Sequence, residues 1–336
     1  MKAAQILKYS SNLDKMNITI NKVDIPDISN TEVLIKVQAA AVNPLDILII
    51  TGKIKLIQDY SMPLILGNEC SGIIEAVGSS VTELKKGDFV YTRLPINKIG
   101  AFAEYVAVDA NAVAKMPEGY SFEEGAAIPI AGLTAYQAFI EELEIRPKQS
   151  VLITGGSGSF GQIAVPIAKK LGLSVFVSGN ERAKENILSI GADEYIEYTK
   201  ENYWDKVKDL DYIIDTLGES EFNHELSVLK KGGTLLSLRG IPNKHFAEKQ
   251  GFSFFKRKIF EFAGKKFDNM AKQQDKKYRF MFVHSNGQQL KTVTKIIEEK
   301  RIIPQIDTRI FGLDDIPLAL DLVANKSIDG KVIIRF

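Results

Sequence analysis

A glycine-rich turn between a buried strand and a helix is the feature that most limits what this chain can fold into. Residues 151–154 are apolar and largely β-branched without alternation, which predicts a short strand buried on both faces. The chain then turns through glycines, and residues 162–171 carry apolar side chains at helical spacing. Gly156, Gly158 and Gly161 fit the pattern G-x-G-x-x-G. The flanking strand and helix are the context that this pattern requires in dinucleotide-binding folds.

The three glycines of this pattern have different physical roles. Gly156 allows the tight turn, Gly158 lets the backbone approach a pyrophosphate, and Gly161 lets the helix lie close to the sheet. Free N–H groups and the positive end of the helix dipole then face the phosphates. The turn therefore predicts a phosphate site formed by Gly156, Ser157, Gly158, Ser159, Phe160 and Gly161.

Composition excludes several kinds of partner. The chain has 336 residues, enough for two domains, of which 45% are hydrophobic and 25% charged. The 43 basic and 42 acidic residues nearly cancel, so no global charge attracts nucleic acid. No apolar run approaches the roughly 20 residues that span a bilayer, and the first residues lack the apolar core of a signal peptide. With one cysteine, Cys70, and so no internal disulfide, the chain is predicted to be cytoplasmic and not inserted in a membrane.

The sequence consists of two regions that differ in their predicted secondary structure. The first 120 residues read as short strands bounded by turns, at 31–38, 72–78, 87–91 and 103–108. From residue 151 strands alternate with helices, and the further strands are predicted at 174–177, 194–198, 211–215, 234–238 and 278–283. The alternation predicts an α/β fold, in which a doubly wound parallel sheet of the Rossmann type follows a β-rich domain. A helix at 287–300 and a strand at 331–336 end the pattern.

The segment 241–279 interrupts the alternation of strands and helices. Phenylalanines are interleaved there with lysines and arginines, among them Phe252, Phe254, Phe255, Phe260, Phe262 and Phe267 with Lys244, Lys249, Lys256, Arg257, Lys258, Lys265 and Lys266. One interpretation is a pair of amphipathic helices covering the sheet edge, which predicts no binding to anionic vesicles. A membrane-surface contact and a lid over the substrate are the two alternatives.

The order of these regions, with a return to the first domain at the end, resembles the medium-chain dehydrogenase/reductase superfamily. Motifs of that superfamily lie at 41–46, 67–72, 87–88, 100–106, 132–136, 191–193 and 330–331, in addition to the glycine turn. The resemblance implies a β-rich GroES-like domain formed by residues 1–123 and 285–336. It also implies a Rossmann cofactor domain at 124–284, with 241–279 as a helical insertion.

Zinc-dependent alcohol dehydrogenases of this superfamily have a Cys where this chain has Asn43, a His where it has Asn68, and a Cys near Ile130. None of these three residues supplies the thiolate or imidazole that catalytic zinc requires. The chain therefore resembles the zinc-free quinone oxidoreductase family. These enzymes pass a hydride from the nicotinamide directly to a quinone or an activated alkene, whose conjugation spreads the developing charge.

The resemblance implies a set of positioning residues. Asn43 and Thr134 would lie near the nicotinamide, although Asn43 could instead belong to an ordinary turn and Thr134 could be a helix cap. The substrate pocket would include Asp46, Ile54, Tyr60 and Asn68. Glu69 is expected to be ionised, and no side chain of the matched positions is expected to donate a proton. The second proton would then come from water or a ribose hydroxyl.

The residues at the end of the second Rossmann strand determine whether NAD or NADPH is preferred. A carboxylate there would bind the ribose of NAD, whereas this chain has Ser178, Asn180 and Arg182. An arginine can pair with the 2′-phosphate of NADPH, although a surface arginine is often only solvated. Glu181 is expected to point to solvent. Further cofactor contacts are implied for Tyr198, Leu217, Leu238 and Arg239.

The leading interpretation is an NADPH-dependent quinone oxidoreductase that acts without zinc. An NADPH-dependent reductase of enones or 2-alkenals uses the same hydride geometry and stays an alternative. A cofactor-binding protein with little turnover is the third possibility. The family resemblance implies a homodimer, and nothing in the sequence selects the quinone or enone.

Overall fold

The structure is a computed structural model that describes residues 1–11, 16–325 and 327–336. It divides into two compact units. The first unit comprises Met1–Leu133 and His284–Phe336, and the second comprises Thr134–Val283. The first unit extends ten residues past the boundary expected at 123/124, and the short helix Phe122–Ala126 contacts four of its strands.

The first unit is mainly β. Its strands are β1 Lys2–Ile6, β2 Ile18–Lys22, β3 Glu32–Ala41, β4 Leu64–Ile65, β5 Glu69–Val77, β6 Phe89–Arg93, β7 Tyr105–Asp109 and β8 Val113–Lys115. Its first helices are α1 Pro44–Ile50, α2 Phe122–Ala126 and the beginning of α3 Pro129–Gln137. In the second unit lie β9 Ser150–Thr154, α4 Ser159–Lys170, β10 Ser174–Gly179, α5 Lys184–Ser189, β11 Glu194–Glu197, α6 Tyr203–Lys206, β12 Leu210–Asp215, α7 Phe222–Val228, β13 Leu229–Ser237, α8 Lys244–Lys249, α9 Phe254–Gln273 and β14 Lys277–Phe280. The chain then returns to the first unit with α10 Gly287–Lys300, α11 Ile316–Ala324 and β15 Ile333–Arg335.

The long strand β3 organises the first unit. It pairs in antiparallel fashion with β15, β5 and β7, in a sheet of order β15-β3-β5-β6-β8. Its first half buries alternate residues, as expected for a strand with one face on the core. Its last three alanines are all buried, because α2 and β15 pack there and only small side chains fit.

The second unit is a parallel six-stranded sheet of order β11-β10-β9-β12-β13-β14. Counted from β9, this is the order 3-2-1-4-5-6 of a doubly wound dinucleotide-binding fold, so the predicted fold class is confirmed. The direction of winding reverses between β9 and β12. Ligands of such sheets bind beyond the carboxyl ends of the strands at this point.

Helices α8 and α9 occupy the segment 241–279 and contact the edge strand β14, as the first of the three alternatives predicts. Phe267 of α9 packs edge-on against Phe222, with ring centroids 4.8 Å apart, and lies 5.5 Å from the ring of Tyr278. Phe246 of α8 packs in the same manner against Phe280, at 5.0 Å. This aromatic packing holds α8 and α9 against the edge strand β14.

Truncation of Phe267 should therefore be costly. We expect Phe267→Ala to lower the free energy of unfolding by about 3–5 kcal/mol, since it leaves a cavity among aromatic rings. The matched change Phe262→Ala on the same helix removes a side chain that is 84% exposed. It should change the stability by no more than about 0.5 kcal/mol. Urea unfolding of both variants measures this contrast, and equal losses would contradict the assigned face of α9.

Candidate functional site

A group of buried polar side chains lies in the first unit. Asn43, Asp46, Asn68, Glu69 and Lys331 are each at most 8% exposed. They come from the start of α1, the start of β5 and the turn before β15. Buried polar groups are tolerated only when they bond to one another, and these residues do.

Asn43 is the N-cap of α1 and not part of an isolated turn. Pro44 occupies the first helical position, where its missing N–H costs nothing. The backbone N–H of Asn43 donates to Oδ2 of Asp46 at 2.8 Å, so the carboxylate of Asp46 caps the same helix. The side-chain Nδ2 of Asn43 donates to the carbonyl of Ala41 at 3.1 Å and to Oε1 of Glu69 at 2.9 Å. Its carboxamide is thereby fixed in orientation.

Glu69 is fully buried and lies at the centre of the group. Its Oε1 accepts from Asn43 and also from Nζ of Lys331, at 2.8 Å. Its Oε2 accepts from the backbone N–H of Ile130, at 2.7 Å. The ammonium of Lys331 also donates to Oδ1 of Asn43 at 2.5 Å. A carboxylate and an ammonium are thus paired out of water, and each has additional hydrogen-bond partners.

Asp46 and Asn68 form the second half of the group. Nδ2 of Asn68 donates to Oδ1 of Asp46 at 2.6 Å. Burial raises the pKa of Asp46 to about 7, against the opposing effect of its hydrogen bonds from Asn43 and Asn68. Asp46 was not considered as a proton donor in the sequence analysis, and its pKa near neutral pH arises because complete burial makes its charged form unfavourable.

Arg93 is a further buried charge of the first unit. It pairs with Glu69 across β5 and β6, so the two side chains share one face of the sheet. Its Nη1 donates to the carbonyl of Leu94 at 2.5 Å, while Nε and Nη2 have no hydrogen-bond partner among the described residues. Elsewhere in the chain Arg309 uses these same two nitrogens to hold Asp307, at 2.7 and 2.6 Å. Arg93 is therefore a buried guanidinium with two donors that no described residue satisfies.

The remaining predicted pocket residues lie in the same unit. Tyr60 is 8% exposed, and its hydroxyl also has no hydrogen-bond partner in the described part of the chain. Burial raises the pKa of Tyr60, and the charge of Arg93 acts in the opposite direction. Ile54 is 6% exposed and follows α1. Thr134 is the first residue of the second unit, where it lies on α3 and is 9% exposed.

The glycine turn of the second unit links β9 to α4. The left-handed conformation belongs to Gly155, with φ 63°, and not to Gly156 as the motif predicts. Gly156 lacks space instead, because a Cβ there would lie 2.7 Å from Val177. A Cβ on Gly161 would lie 1.9 Å from the carbonyl oxygen of Gly156. The start of the helix can therefore approach the turn only through glycine.

The open side of the turn lies at Gly158, the N-cap of α4, where an added Cβ would meet no atom within 4 Å. The first N–H groups of a helix have no partners within it. Those of Ser159, Phe160 and Gly161 are therefore available to phosphate oxygens. This cradle fits the pyrophosphate of a dinucleotide.

Asp215, which was not among the residues selected in the sequence analysis, holds the loops after β12 and β13. Its Oδ1 accepts from the N–H groups of Leu217 and Gly218, at 2.7 and 2.8 Å. Its Oδ2 accepts from the hydroxyl of Ser237 at 2.5 Å, and Oγ of Ser237 accepts from the N–H of Arg239. Leu238 donates its N–H to the backbone carbonyl of Asp215 at 2.9 Å. The backbone of all three predicted cofactor contacts in these loops is thus held by Asp215, directly or through Ser237.

Strand β10, the second strand of the Rossmann sheet, ends later than the sequence analysis predicts. Gly179 still pairs with Glu197 of β11, so Ser178 lies within β10 and is 3% exposed. Asn180 ends the strand and caps the following turn, with Oδ1 accepting from the N–H of Ala183 at 3.1 Å. Its Nδ2 donates to the hydroxyl of Ser157 at 3.3 Å. Asn180 therefore joins the strand end to the glycine turn, and Ser178 is not the residue at the strand end.

Basic residues surround this strand end. Arg182 is exposed and makes no ion pair with another described residue. Glu181 is exposed, as expected, and is paired with Lys200 at 2.8 Å. Lys184 and Lys200 both contact Glu197, at 2.6 Å each, and thereby hold the one buried carboxylate of the strand end. Tyr198 follows β11 and is 64% exposed.

Comparisons with known proteins agree with this arrangement. Residues 29–118 match the alcohol dehydrogenase GroES-like domain, and residues 190–334 match the zinc-binding dehydrogenase family. The 2-methylene-furan-3-one reductase of Solanum lycopersicum is 32% identical over 100% of this chain and 79% of its own length. A quinone oxidoreductase of Pongo abelii is 36% identical over 64% of this chain and 66% of its own length. A quinone oxidoreductase structure from Coxiella burnetii superposes with a TM-score of 0.82 at 25% identity, covering 100% of this chain and 99% of that one.

The chain belongs to the quinone oxidoreductase family of the medium-chain dehydrogenase/reductase superfamily. The resemblance stated from the sequence is confirmed. This oxidoreductase binds a nicotinamide cofactor.

The name of one matching family raises the question of zinc, and the residues of this oxidoreductase do not fit the metal. By the resemblance stated from the sequence, Asn43, Asn68 and Ile130 would stand where the metal-dependent enzymes have zinc ligands. Here the carboxamide of Asn43 is bonded to the ammonium of Lys331, a cation that would repel a metal. Within residues 1–11, 16–325 and 327–336, no three His, Cys, Asp or Glu side chains are grouped to hold a metal ion. Cys70 is fully buried, and burial raises the pKa of its thiol.

The residues missed from the sequence are mostly charged groups within apolar strands. Lys331 precedes the run Val332–Ile334, and Arg93 ends the apolar strand β6. A charge adjoining buried apolar residues is costly unless it has a partner, and this cost is the signal that could have identified both. The partner of each is remote in sequence and could be found only from the fold.

The Lys331–Glu69 pair supports a stability prediction. Each of Lys331→Met and Glu69→Gln removes one partner of a buried pair, and should lower the free energy of unfolding by about 3–5 kcal/mol. The double variant should lose less than the sum of the two, because neither charge is then left alone. Urea unfolding of the wild type, the two single variants and the double variant measures this double-mutant cycle. Lys86→Met is the matched control, since its pair with Glu75 is exposed and should contribute no more than about 1 kcal/mol.

A second prediction concerns pH. The pKa of Asp46 is about 7 in the folded chain, and an unfolded aspartate titrates near pH ~3.9. Between these values the unfolded state releases a proton that the folded state keeps, so rising pH lowers the free energy of unfolding, by up to roughly 4 kcal/mol. Asp46→Asn cannot titrate and should lose less stability over the same range. Urea unfolding at acidic and neutral pH tests this, and a difference of the opposite sign would mean that the pKa of Asp46 is depressed.

Proposed function

We propose that this protein is an NADPH-dependent quinone oxidoreductase that transfers a hydride to conjugated acceptors without a metal. The observation that carries the proposal is the buried contact of Lys331 with Asn43 and Glu69. A positively charged side chain is paired there with a carboxylate, and no side chain offers a metal a thiolate or imidazole. A simple ketone needs a Lewis acid or a proton donor to stabilise its developing alkoxide, whereas a quinone spreads the developing charge by conjugation.

A bound nicotinamide supplies the hydride. The chain contributes orientation and fixed charges. The glycine turn and the N-terminus of α4 are suited to hold the phosphates, and Asp215 fixes the loops after β12 and β13. In the first unit, Nε and Nη2 of Arg93 and the hydroxyl of Tyr60 are donors without a described partner, suited to a carbonyl oxygen that becomes negative. Asp46, with a pKa of about 7, can hold or release a proton near neutral pH.

Preference for NADPH is supported by the charges around the end of β10. Glu181 points to solvent and Glu197 is held by two lysines, so neither carboxylate is free to bind a ribose. Arg182 is exposed and has no described ion-pair partner. A guanidinium in this place suits a 2′-phosphate and offers nothing specific to the ribose hydroxyl of NADH.

Arg182→Ala should therefore weaken NADPH binding about ten- to hundredfold, because a charged hydrogen bond contributes roughly 1.5–3 kcal/mol. The Kd of NADH should stay nearly constant. Fluorescence titration of both cofactors measures the two values. Lys208→Ala removes an exposed charge of the same unit and serves as the control. Equal losses for NADPH and NADH would show that Arg182 does not contact the 2′-phosphate.

Reduction of enones is the second candidate. It is favoured by the tomato reductase, whose named substrate is an enone and which aligns with the whole of this chain. The hydride would then reach carbon, and a proton would be added to the neighbouring carbon. The polar group of the first unit suits this reaction also, since an enolate oxygen accepts the same donors as a quinone oxygen.

The acceptor is tested by following the oxidation of NADPH deuterated at C4 in the presence of quinones, enones and simple ketones. The proposal expects turnover with quinones, no turnover with simple ketones and no loss of activity to chelators. Reduction of enones with deuterium retained on carbon, and none of quinones, would favour the second candidate. Tight NADPH binding with no acceptor consumed would favour a cofactor-binding protein with little turnover.

A further inference from the structure

Helix α9 carries two apolar stripes, and the fold covers only one of them. Phe260, Gly264, Phe267 and Ala271 are spaced by four, three and four residues and are buried. Phe255, Ile259 and Phe262 are spaced by four and three residues and lie on another side of the helix. These three side chains are 80%, 47% and 84% exposed, and Phe254 beside them is 62% exposed.

The exposed stripe has no role in covering the sheet edge. The buried stripe alone supplies the contact with β14 and the aromatic packing around Phe267. Exposed aromatic side chains that follow one another along a helix are unusual on a soluble surface and indicate an interaction site. The site lies on the second unit and does not depend on the acceptor proposed above.

Positive charge surrounds this stripe. Residues 254–266 contain five basic residues and a single acidic one, Glu261. Two of the basic residues are paired, Lys258 with Glu261 at 2.8 Å and Lys266 with Glu219 at 2.7 Å. The other three, Lys256, Arg257 and Lys265, make no ion pair with a described residue, although Lys256 lies over the ring of Phe252. The local charge is strongly positive, whereas the whole chain has a net charge of +1.

This charge decides between two possible occupants. In a symmetric contact with a second copy, the same positive surface would meet itself and repel. A bilayer with anionic headgroups complements it, since basic side chains near the surface gain from the negative potential while aromatic side chains enter the acyl boundary. No helix of the described residues is long and apolar enough to cross a membrane, so contact would be limited to the surface.

We propose that α9 binds the surface of anionic membranes, lying in the plane of the interface with Phe255, Ile259 and Phe262 turned toward the lipid. The sequence analysis gave amphipathic helices that cover the sheet edge and predicted no binding to anionic vesicles, whereas the exposed stripe supports the membrane-surface alternative. The bound partner is the lipid surface itself, recognised by negative charge and by an apolar boundary.

The test is co-sedimentation of the full chain with extruded vesicles of phosphatidylcholine, with and without phosphatidylglycerol. We expect binding to the anionic vesicles only, with release at high salt because screening shortens the reach of the charges. Phe255→Ser with Phe262→Ser should lower the partition coefficient at least tenfold. Arg257→Gln with Lys265→Gln should lower it roughly fivefold for each charge removed.

Matched control variants distinguish vesicle binding through this surface from nonspecific binding. Ile310→Ser removes a side chain of the first unit that is 70% exposed, and Lys53→Gln with Lys231→Gln removes two exposed charges elsewhere. Both should bind like the wild type, and all variants should keep the circular dichroism spectrum and melting temperature. Absence of binding to anionic vesicles, or equal binding by the phenylalanine variant, would overturn the proposal. A dimer that the phenylalanine variant abolishes, without vesicle binding, would assign the stripe to a second copy instead.

Discussion

The buried ion pair of Lys331 and Glu69 is the interaction on which the polar group of the first unit depends. Removing two charges from water is expensive, and the cost is offset only when every partner is in place. Here Glu69 has three partners, and two of them, Asn43 and Lys331, also bond to each other. Asn43 in turn is the N-cap of α1 and bonds to Asp46. The network therefore holds together the start of α1, the start of β5 and the turn before β15. One network therefore sets the position of several side chains that the proposed reaction would use.

The fold was largely predictable because its signals are local. The helix 287–300 was predicted with the bounds that α10 has, since its apolar spacing and flanking residues leave little freedom. The six parallel strands were also expected, because short apolar runs bounded by turns are typical of a buried sheet. Strand ends were less certain. The extension of β10 to Gly179 depends on pairing with Glu197, a contact between strands that no local pattern encodes.

The candidate sites were only partly predictable. The glycine turn could be located from its spacing, yet its left-handed residue, Gly155, depends on how Thr216 packs against it. Asp215 and Lys331 were not selected, since their partners are distant in the sequence and each looks like an ordinary charged residue. Asp46 was placed in the pocket but not considered as an acid, because its raised pKa arises from complete burial. Such properties belong to the assembled fold and not to a motif.

The position of Lys331 has a consequence for how the protein is made. Glu69 enters its strand long before Lys331, whose ammonium neutralises it, has been synthesised. Until then the β-rich unit would contain an uncompensated carboxylate, which disfavours a closed and dry core. The second unit contains its whole sheet between Thr134 and Val283 and can fold before that moment. The nascent chain would therefore complete its central domain first and its amino-terminal domain last.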